Sequence, residues 1–420
     1  MQSRTSILEN GFEITVMPDY SLPFVEVHGW VKSGLTIGKR RWLHRLVPPM
    51  LSKGTKIHVK EKFEDIMDCH ALEYGAASSS TSRFFSEFGA RALKAHIGEL
   101  FMLMHESLSC PSFPENELAI LKDMLEAELR EKASDPEARA EEEIRRMLYG
   151  SSHPHFILPT REAMAGLRSV TRDDLNDFWE KRYAPDRAGI VLVGDINLDI
   201  IYACLSDTFG KWKALCASGE PEEEAKDAMH DFGSDEYEER TVFIPQKSSA
   251  ILMLGSRIPF SSTHRDHSAL RAAISVLGGG TNGRLFQHVR EKHGLSYDVS
   301  ASLEWMHTMP GYFSVIAHTN PDNIMRTQEE IMRVVSEFYE RGISKEELEE
   351  TKSMLRGTRS YMRSSLKGIA EELVSDKIIG LAASERDERI HRLCASEVNA
   401  VISKYLNPVR IKLVRAGTVG

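Results

Sequence analysis

The sequence predicts an α+β fold in which two domains of similar topology follow one another along the chain. A length of 420 residues exceeds what one hydrophobic core usually serves, so at least two domains are expected. Within each half, segments with the two-residue alternation of strands precede long segments with helical spacing, which is typical of α+β domains. A weak internal repeat indicates that the two halves share one topology.

The internal repeat consists of two pairs of matching segments. The pattern E-L-x5-M-L occurs at residues 117–125 and again at residues 347–355, an offset of 230. Upstream, L-E-Y at residues 72–74 matches L-S-Y at residues 295–297, an offset of 223. The seven-residue difference between the offsets is what an insertion in a loop would give, so a repeated domain of about 200 residues is expected.

The first half begins with strand-like sequence and continues with helix-like sequence. Residues 12–17 and, less strictly, residues 24–31 alternate in character, which predicts strands. Residues 92–108 carry apolar side chains at helical spacing, and residues 114–132 combine a proline and acidic start with many Glu, Leu, Ala and Met residues. Both segments predict helices. The apolar run at residues 189–194 predicts a buried strand near the end of this half.

The second half repeats the strand-like opening at residues 241–244 and 250–254. Between the halves, residues 216–239 are acidic and poor in large apolar side chains, which favours a solvated linker over an acidic docking segment. The sequence therefore predicts one domain over residues 1–215 and a second over residues 240–420.

Composition excludes several classes of function. Lys and Arg number 53 against 62 Asp and Glu, and the net charge of −9 makes nucleic acid and anionic membrane surfaces poor partners. No apolar run approaches the roughly 20 residues of a membrane helix, and the N-terminus lacks a signal pattern. The five cysteines are scattered and contain no C-x-x-C pair, which favours reduced thiols in a cytoplasmic protein.

Residues 42–55 contain a degenerate metal motif. They read W-L-H-R-L-V-P-P-M-L-S-K-G-T, and the last six resemble the end of the inverted zinc motif of the pitrilysin/insulinase-type metallopeptidases. In that family H-x-x-E-H runs into M-L-F-K-G-T. The resemblance puts Arg45, Pro48 and Pro49 where the first His, the catalytic Glu and the second His belong.

These three residues cannot bind zinc. Zinc requires neutral imidazole or anionic ligands, whereas Arg is permanently cationic and Pro has no side-chain donor atom. The two prolines also lack backbone N–H groups, so the helix that carries them is expected to be kinked or shortened. The resemblance implies Glu128 as the third ligand position, with Glu126 close by. A lone carboxylate without two His partners predicts a solvated helix residue, and we expect no metal and no cofactor in this chain.

The resemblance covers nearly the whole chain and rests on an ordered set of motifs. In chain order these are F-P-E at residues 113–115, D-P at 135–136, H-P at 153–154, Y-A-P-D at 183–186, V-L-V-G-D-I at 191–196, L-G-G-G at 277–280, R-L-F at 284–286 and R-E-K-H-G-L-S-Y at 290–297. The sequence departs from the family at Ser78–Thr81, where active members usually carry an Asn-Ala pair. The resemblance implies a bacterial heterodimeric branch, with two domains that face one another like a clam shell.

Arg290 and Tyr297 are the candidate substrate-binding residues. The resemblance implies that an Arg and a Tyr at this spacing face the zinc of a catalytic domain. A guanidinium and a phenol held there would bind the peptide backbone and stabilise the oxyanion that forms during hydrolysis. Locally, we expect Arg290 to close a helix, Gly294 to supply a left-handed turn and Tyr297 to start a strand.

Three functions remain open from the sequence. The leading hypothesis is a non-catalytic, substrate-binding subunit that pairs with a zinc-bearing homologous subunit and an extended peptide substrate, so that the chain is no peptidase alone. The second is a metal-less peptide-binding or scaffold protein with no role in hydrolysis. The third, a peptidase with relocated zinc ligands, is disfavoured because no His pair at ligand spacing replaces the lost one.

Overall fold

The computed structural model describes residues 3–34, 41–78, 84–214, 229–306 and 309–419. Ser79, Ser80 and Thr81 of the departing segment, and residues 216–228 of the predicted linker, lie outside this part of the chain. The described residues form two compact units. None of their helices combines the length and the apolar character that crossing a membrane requires.

The strands of the described residues are β1 (Arg4–Ile7), β2 (Glu13–Pro18), β3 (Phe24–Val31), β4 (Glu73–Ser78), β5 (Ser86–Leu93), β6 (Ala188–Gly194), β7 (Glu238–Phe243), β8 (Ala250–Ile258), β9 (Ser296–Met306), β10 (Met309–Thr319) and β11 (Lys412–Gly417).

The α-helices of the same ranges are α1 (Leu43–Met50), α2 (Lys60–Cys69), α3 (Ile97–Ser109), α4 (Glu115–Ser134), α5 (Pro136–Leu148), α6 (Thr160–Ser169), α7 (Arg172–Arg182), α8 (Leu198–Thr208), α9 (His267–Gly278), α10 (Ile324–Arg341), α11 (Lys345–Met362), α12 (Leu366–Ile379), α13 (Ala383–Arg392) and α14 (Ala395–Tyr405). A π-helix spans Phe286–Lys292.

Five strands of the first sheet have the same topology as the five strands of the second. In the described residues the first sheet has the order β1-β2-β6-β3-β5-β4, and the second has the order β7-β11-β8-β10-β9. In the first sheet β2 and β6 are parallel and the pairs β6–β3, β3–β5 and β5–β4 are antiparallel. The second sheet repeats this pattern, with β7 and β11 parallel and β11–β8, β8–β10 and β10–β9 antiparallel. The predicted α+β fold with two homologous domains is therefore confirmed.

The second sheet is buried on both faces. Along β8, Leu252 and Leu254 point into the core built with α9, α10 and α14. Ile251 and Met253 point to the opposite face, where they pack with α5. This alternation explains why residues 250–254 read as one continuous apolar run.

Helix α5 comes from the first half of the chain but belongs to the second unit. Asp135 caps its start by accepting a hydrogen bond from the Ala138 N–H at 2.7 Å, and Pro136 occupies its first turn. Ile144, fully buried, packs against the sheet at Gly255, where an added Cβ atom would lie 2.7 Å from its Cγ2 atom. A glycine at this position therefore lets the helix approach the sheet closely.

The first unit contains a helix from the second half of the chain in the corresponding role. Helix α12 packs on β3 and β6. Ser365 caps its start by accepting from the Gly368 N–H at 3.0 Å, and Gly380 ends it in the left-handed conformation. The Lys377 ammonium lies 2.6 Å from the Glu13 carboxylate of β2. Each unit is thus assembled from both halves of the sequence.

The compact units differ from the continuous segments 1–215 and 240–420 that the sequence predicts. The first unit comprises residues 1–126, 161–227 and 360–380, and the second comprises the remainder. The end of the predicted linker is not a free segment, because Gly233 donates to the Leu148 carbonyl at 3.0 Å and Asp231 accepts from Gly150 at 2.9 Å.

Replacing Ile144 by Ala should destabilise the second unit by about 2–5 kcal/mol, because the truncated side chain leaves a cavity between α5 and the sheet. Val409→Ala, at a position 64% exposed in the same unit, is the matched control and should cost little. Urea titration followed by tryptophan fluorescence measures both. Equal loss in the two variants would contradict the packing.

A fragment that ends at residue 215 should not form a stable first unit, because it lacks α12. It should bind a hydrophobic dye and show weak near-ultraviolet circular dichroism. Production together with residues 216–420 should restore both properties to those of the intact chain. Cooperative unfolding of residues 1–215 alone would show that α12 is dispensable.

Candidate functional site

The degenerate motif lies on a short helix. Helix α1 is eight residues long and ends at Met50, directly after Pro48 and Pro49. Both prolines lie inside the helix, where they cannot donate hydrogen bonds to the preceding turn, and the helix is short as predicted. Pro48 is buried and Pro49 half-buried, while the Arg45 guanidinium lies 5.5 Å from the centre of the Trp42 ring. Zinc does not fit this set of side chains.

The tail of the motif builds a turn that needs no metal. The Thr55 hydroxyl accepts hydrogen bonds from the Ile57 and His58 N–H groups at 3.1 and 2.9 Å, and donates to Glu106 at 3.2 Å. The His58 Nδ1 atom lies 2.8 Å from the same carboxylate. Gly54 has φ +119°, a conformation that strains other residues. These contacts explain why M-L-S-K-G-T persists beside the lost ligands.

The two acidic residues of α4 are engaged by cations of the chain. The Glu128 carboxylate lies 2.6 Å from the Lys132 ammonium one turn later. Glu126, which is buried, accepts two hydrogen bonds of 2.7 Å from the Arg168 guanidinium. The prediction of a solvated residue fits Glu128, whose side chain is 35% exposed. In Glu126 the structure shows a buried, bidentate ion pair instead.

Arg290 and Tyr297 lie on the predicted helix, turn and strand. The π-helix Phe286–Lys292 carries Arg290, Gly294 follows with φ +60°, and β9 begins at Ser296. The local prediction is confirmed, with the difference that the helix is of the π type. Such helices are uncommon and occur frequently at functional sites.

The structure brings Arg290 and Tyr297 together. The Arg290 guanidinium donates to the Tyr297 backbone carbonyl and lies 4.8 Å from the centre of the Phe286 ring. Both side chains are exposed, and Tyr297 is 61% exposed. The guanidinium has five N–H donors, so the carbonyl contact leaves others for a ligand. The arrangement presents a fixed positive charge beside a phenol.

Sequence reasoning missed His318, which lies beside Tyr297. His318 on β10 pairs in register with Asp298 on β9, and its Nδ1 atom lies 3.4 Å from the Tyr297 hydroxyl. Its Nε2 atom lies 3.4 Å from a carboxylate oxygen of Glu137, in the first turn of α5. No local motif marks His318, because the register of the β9–β10 hairpin creates the contact. Aligning β9 and β10 as an antiparallel hairpin in the correct register would have placed His318 beside Tyr297.

Other motif residues that precede the π-helix in the sequence have structural roles. A Cβ atom on Gly278, at the end of α9, would lie 2.3 Å from the Ala301 nitrogen of β9, so only glycine fits there. Arg284 donates to both carboxylate oxygens of Glu347, at 2.7 and 2.8 Å. Burial opposes the charge on Glu347, but the hydrogen bonds from Arg284 and from the Ser344 backbone hold its pKa below the usual value. These motifs therefore serve structure.

In the described residues, sets of three metal-ligating side chains occur at His70, His96 and Glu99, and at His288, His293 and Glu330. Neither set includes a position of the degenerate motif. The chemistry that Arg290 and Tyr297 can offer is hydrogen bonding to a carbonyl, a carboxylate or a developing oxyanion.

Residues 169–355 match the family model described as the peptidase M16 inactive domain. The chain is 22% identical over 397 residues to the non-peptidase homolog YmxG of Helicobacter pylori, which covers 92% of this chain and 87% of that protein. It is 24% identical over 356 residues to an uncharacterized zinc protease YmxG of Bacillus subtilis, covering 83% of this chain and 82% of that protein.

Solved structures share the fold at low sequence identity. A crystal structure described as the peptidase M16 inactive domain from Pseudomonas fluorescens matches with a TM-score of 0.84 and 21% identity, covering 100% of this chain and 98% of that one. A protease from Helicobacter pylori matches with a TM-score of 0.87 and 18% identity over 99% of each chain. The predicted resemblance to this metallopeptidase family is therefore confirmed by the M16 family model for residues 169–355. The solved structures show that the whole chain shares their fold.

Proposed function

We propose that this chain is the non-catalytic, substrate-binding subunit of a heterodimeric zinc peptidase. The observation that carries the proposal is the contrast between its two candidate sites. Arg45, Pro48 and Pro49 cannot bind zinc, whereas Arg290 and Tyr297 are exposed, in contact and available to a ligand. A guanidinium and a phenol stabilise charge but cannot generate a nucleophile, so the zinc and its activated water belong to a homologous partner.

The substrate in this proposal is an extended peptide. Among the described strands of the second sheet, β9 is an edge strand that pairs with β10, and Tyr297 is its second residue. An edge strand has backbone N–H and C=O groups with which a peptide can pair. Such pairing recognises the peptide backbone more than its side chains. Arg290 and Tyr297 would then meet the peptide near the scissile carbonyl. A cytoplasmic location is part of the same proposal.

Two relatives from one organism support a paired system. Helicobacter pylori carries a protein described as a non-peptidase homolog and another described as a zinc protease, PqqE. The chain is similar to both, at 22% and 23% identity. Relatives described as a non-peptidase homolog and as a zinc protease therefore coexist in that organism. No contact among the described residues favours the scaffold alternative, which is an outcome of the experiments below.

Arg290→Ala and Tyr297→Phe should each lower turnover in a mixture with a zinc-bearing homologue from the same genome. Loss of one preorganised oxyanion donor typically costs about 10²–10³ in rate. Association with the homologue, measured by analytical ultracentrifugation, should not change, because the substitutions leave zinc and backbone in place. Peptide cleavage is followed with a quenched fluorescent substrate library.

Arg265→Ala and Tyr361→Phe are the matched controls for that experiment. Their side chains are 87% and 81% exposed, and neither contacts the candidate site. Wild-type turnover is expected for both. If the Arg290 and Tyr297 variants also cleave at the wild-type rate, the two residues are structural. If the wild-type mixture cleaves nothing that the homologue alone cannot, the scaffold alternative is correct.

His318→Gln should lower turnover of the mixture less than Tyr297→Phe does, by about 2- to 10-fold, the value of one neutral hydrogen bond. Its role in this proposal is to position the Tyr297 hydroxyl, so it should have no further effect in the Tyr297→Phe background. A double-mutant cycle on kcat/KM measures the coupling. Full additivity of the two losses would show that His318 acts independently of Tyr297.

A further inference from the structure

Two histidines and a glutamate outside both candidate sites lie close together where the end of α2 meets the start of α3. His70 caps the end of α2, His96 immediately precedes α3, and Glu99 lies in the first turn of α3. The Nδ1 atoms of the two histidines are 3.2 Å apart, and the His96 Nδ1 atom is 4.0 Å from a Glu99 carboxylate oxygen. All three side chains are partly exposed, so solvent and ions reach them.

The spacing of these atoms fits a tetrahedral metal ion. Zinc binds imidazole nitrogen at about 2.0–2.1 Å, which places two nitrogens of a tetrahedral site about 3.3–3.4 Å apart. The histidine nitrogens, at 3.2 Å, are close to this separation. The Glu99 side chain is 38% exposed and can approach by rotation about its own bonds. Two imidazoles and one carboxylate, with water in the fourth position, form a common zinc ligand set.

The electrostatic setting favours a cation at this place. In the described part of the chain the Glu99 carboxylate lies 4.0 Å from the His96 Nδ1 atom and forms no ion pair with Lys or Arg. The ammonium of nearby Lys94 is held 2.7 Å from the Asp195 carboxylate. The negative charge of Glu99 is therefore left for the histidines or for a bound ion.

In the second histidine cluster of the described residues, His288, His293 and Glu330, the carboxylate is already paired with an arginine. The Arg333 guanidinium contacts the His288 ring nitrogen and lies 2.9 Å from the Glu330 carboxylate. Burial, followed by the charge of Arg333, lowers the pKa of His288. A permanent cation thus occupies the place where a metal ion would bind. This cluster serves as an internal comparison.

We propose that His70, His96 and Glu99 bind one divalent transition-metal ion of the zinc class. The ion would cross-link the end of α2 to the start of α3 and use none of the positions of the degenerate motif. The sequence predicts no metal in this chain, and the proposed site departs from that prediction. The inference does not rest on the proposed partner function, because it requires neither Arg290 nor a second subunit.

Equilibrium dialysis of the metal-stripped, untagged full chain against zinc tests the proposal. One zinc per chain is expected, and cobalt should give the visible absorption of a tetrahedral site. Loss of a direct ligand in His96→Gln should weaken binding by more than the about 10- to 100-fold that loss of an outer partner costs. Zinc should also raise the melting temperature of the wild type and not that of the variant.

His288→Gln is the matched control and should bind one zinc with wild-type affinity. A second ligand variant, Glu99→Gln, keeps the size of the side chain and should also weaken zinc binding. It keeps the test valid if His96→Gln fails to fold. Circular dichroism of the metal-free variants verifies their fold. No zinc on the wild type, or zinc that survives in His96→Gln and disappears in His288→Gln, would overturn the proposal.

Discussion

The packing of α5 against the second sheet is the interaction on which the candidate site depends. Ile144 approaches β8 at Gly255, where a side chain would collide with it. The same helix begins at Pro136, so its first turn carries Glu137 to within 3.4 Å of His318. His318 in turn lies beside the Tyr297 hydroxyl. One close helix–sheet contact therefore places Glu137 and His318 beside Tyr297, and it does so with a helix from the other half of the sequence.

The degenerate motif separates the structural and chemical roles of a metal-binding segment. The turn at residues 50–55 is held by Gly54, by the Thr55 hydroxyl and by the buried carboxylate of Glu106. None of these groups needs zinc. The ligand positions, by contrast, have no structural requirement for His, and the prolines at two of them lie inside the short helix and remove two of its backbone hydrogen bonds. The turn can therefore keep its sequence without a metal ion beside it.

Local sequence patterns predicted the main helices and strands. They could not predict packing between segments that are distant in the sequence. Residues 24–31 coincide with β3, and the L-S-Y repeat marks the start of β9, because alternation and turns are encoded locally. The helix predicted over residues 92–108 begins later than expected, because β5 extends to Leu93 and a 3₁₀ turn at Lys94–His96 precedes α3. The apolar face of α5 is the same whichever sheet it covers, so its place in the second unit was not predictable. His318 was missed for the same reason.

Preorganisation is the property that would suit the Arg290–Tyr297 pair to the substrate-binding role proposed for it. An exposed arginine usually loses much side-chain freedom when it binds, which weakens the complex. Here the Tyr297 carbonyl and the Phe286 ring already restrain the guanidinium, so part of this side-chain freedom is lost on folding and not on binding. The same contact couples the two residues, because the backbone of one holds the side chain of the other. The pair therefore acts as one unit, which requires the π-helix, the Gly294 turn and β9 to keep their mutual geometry.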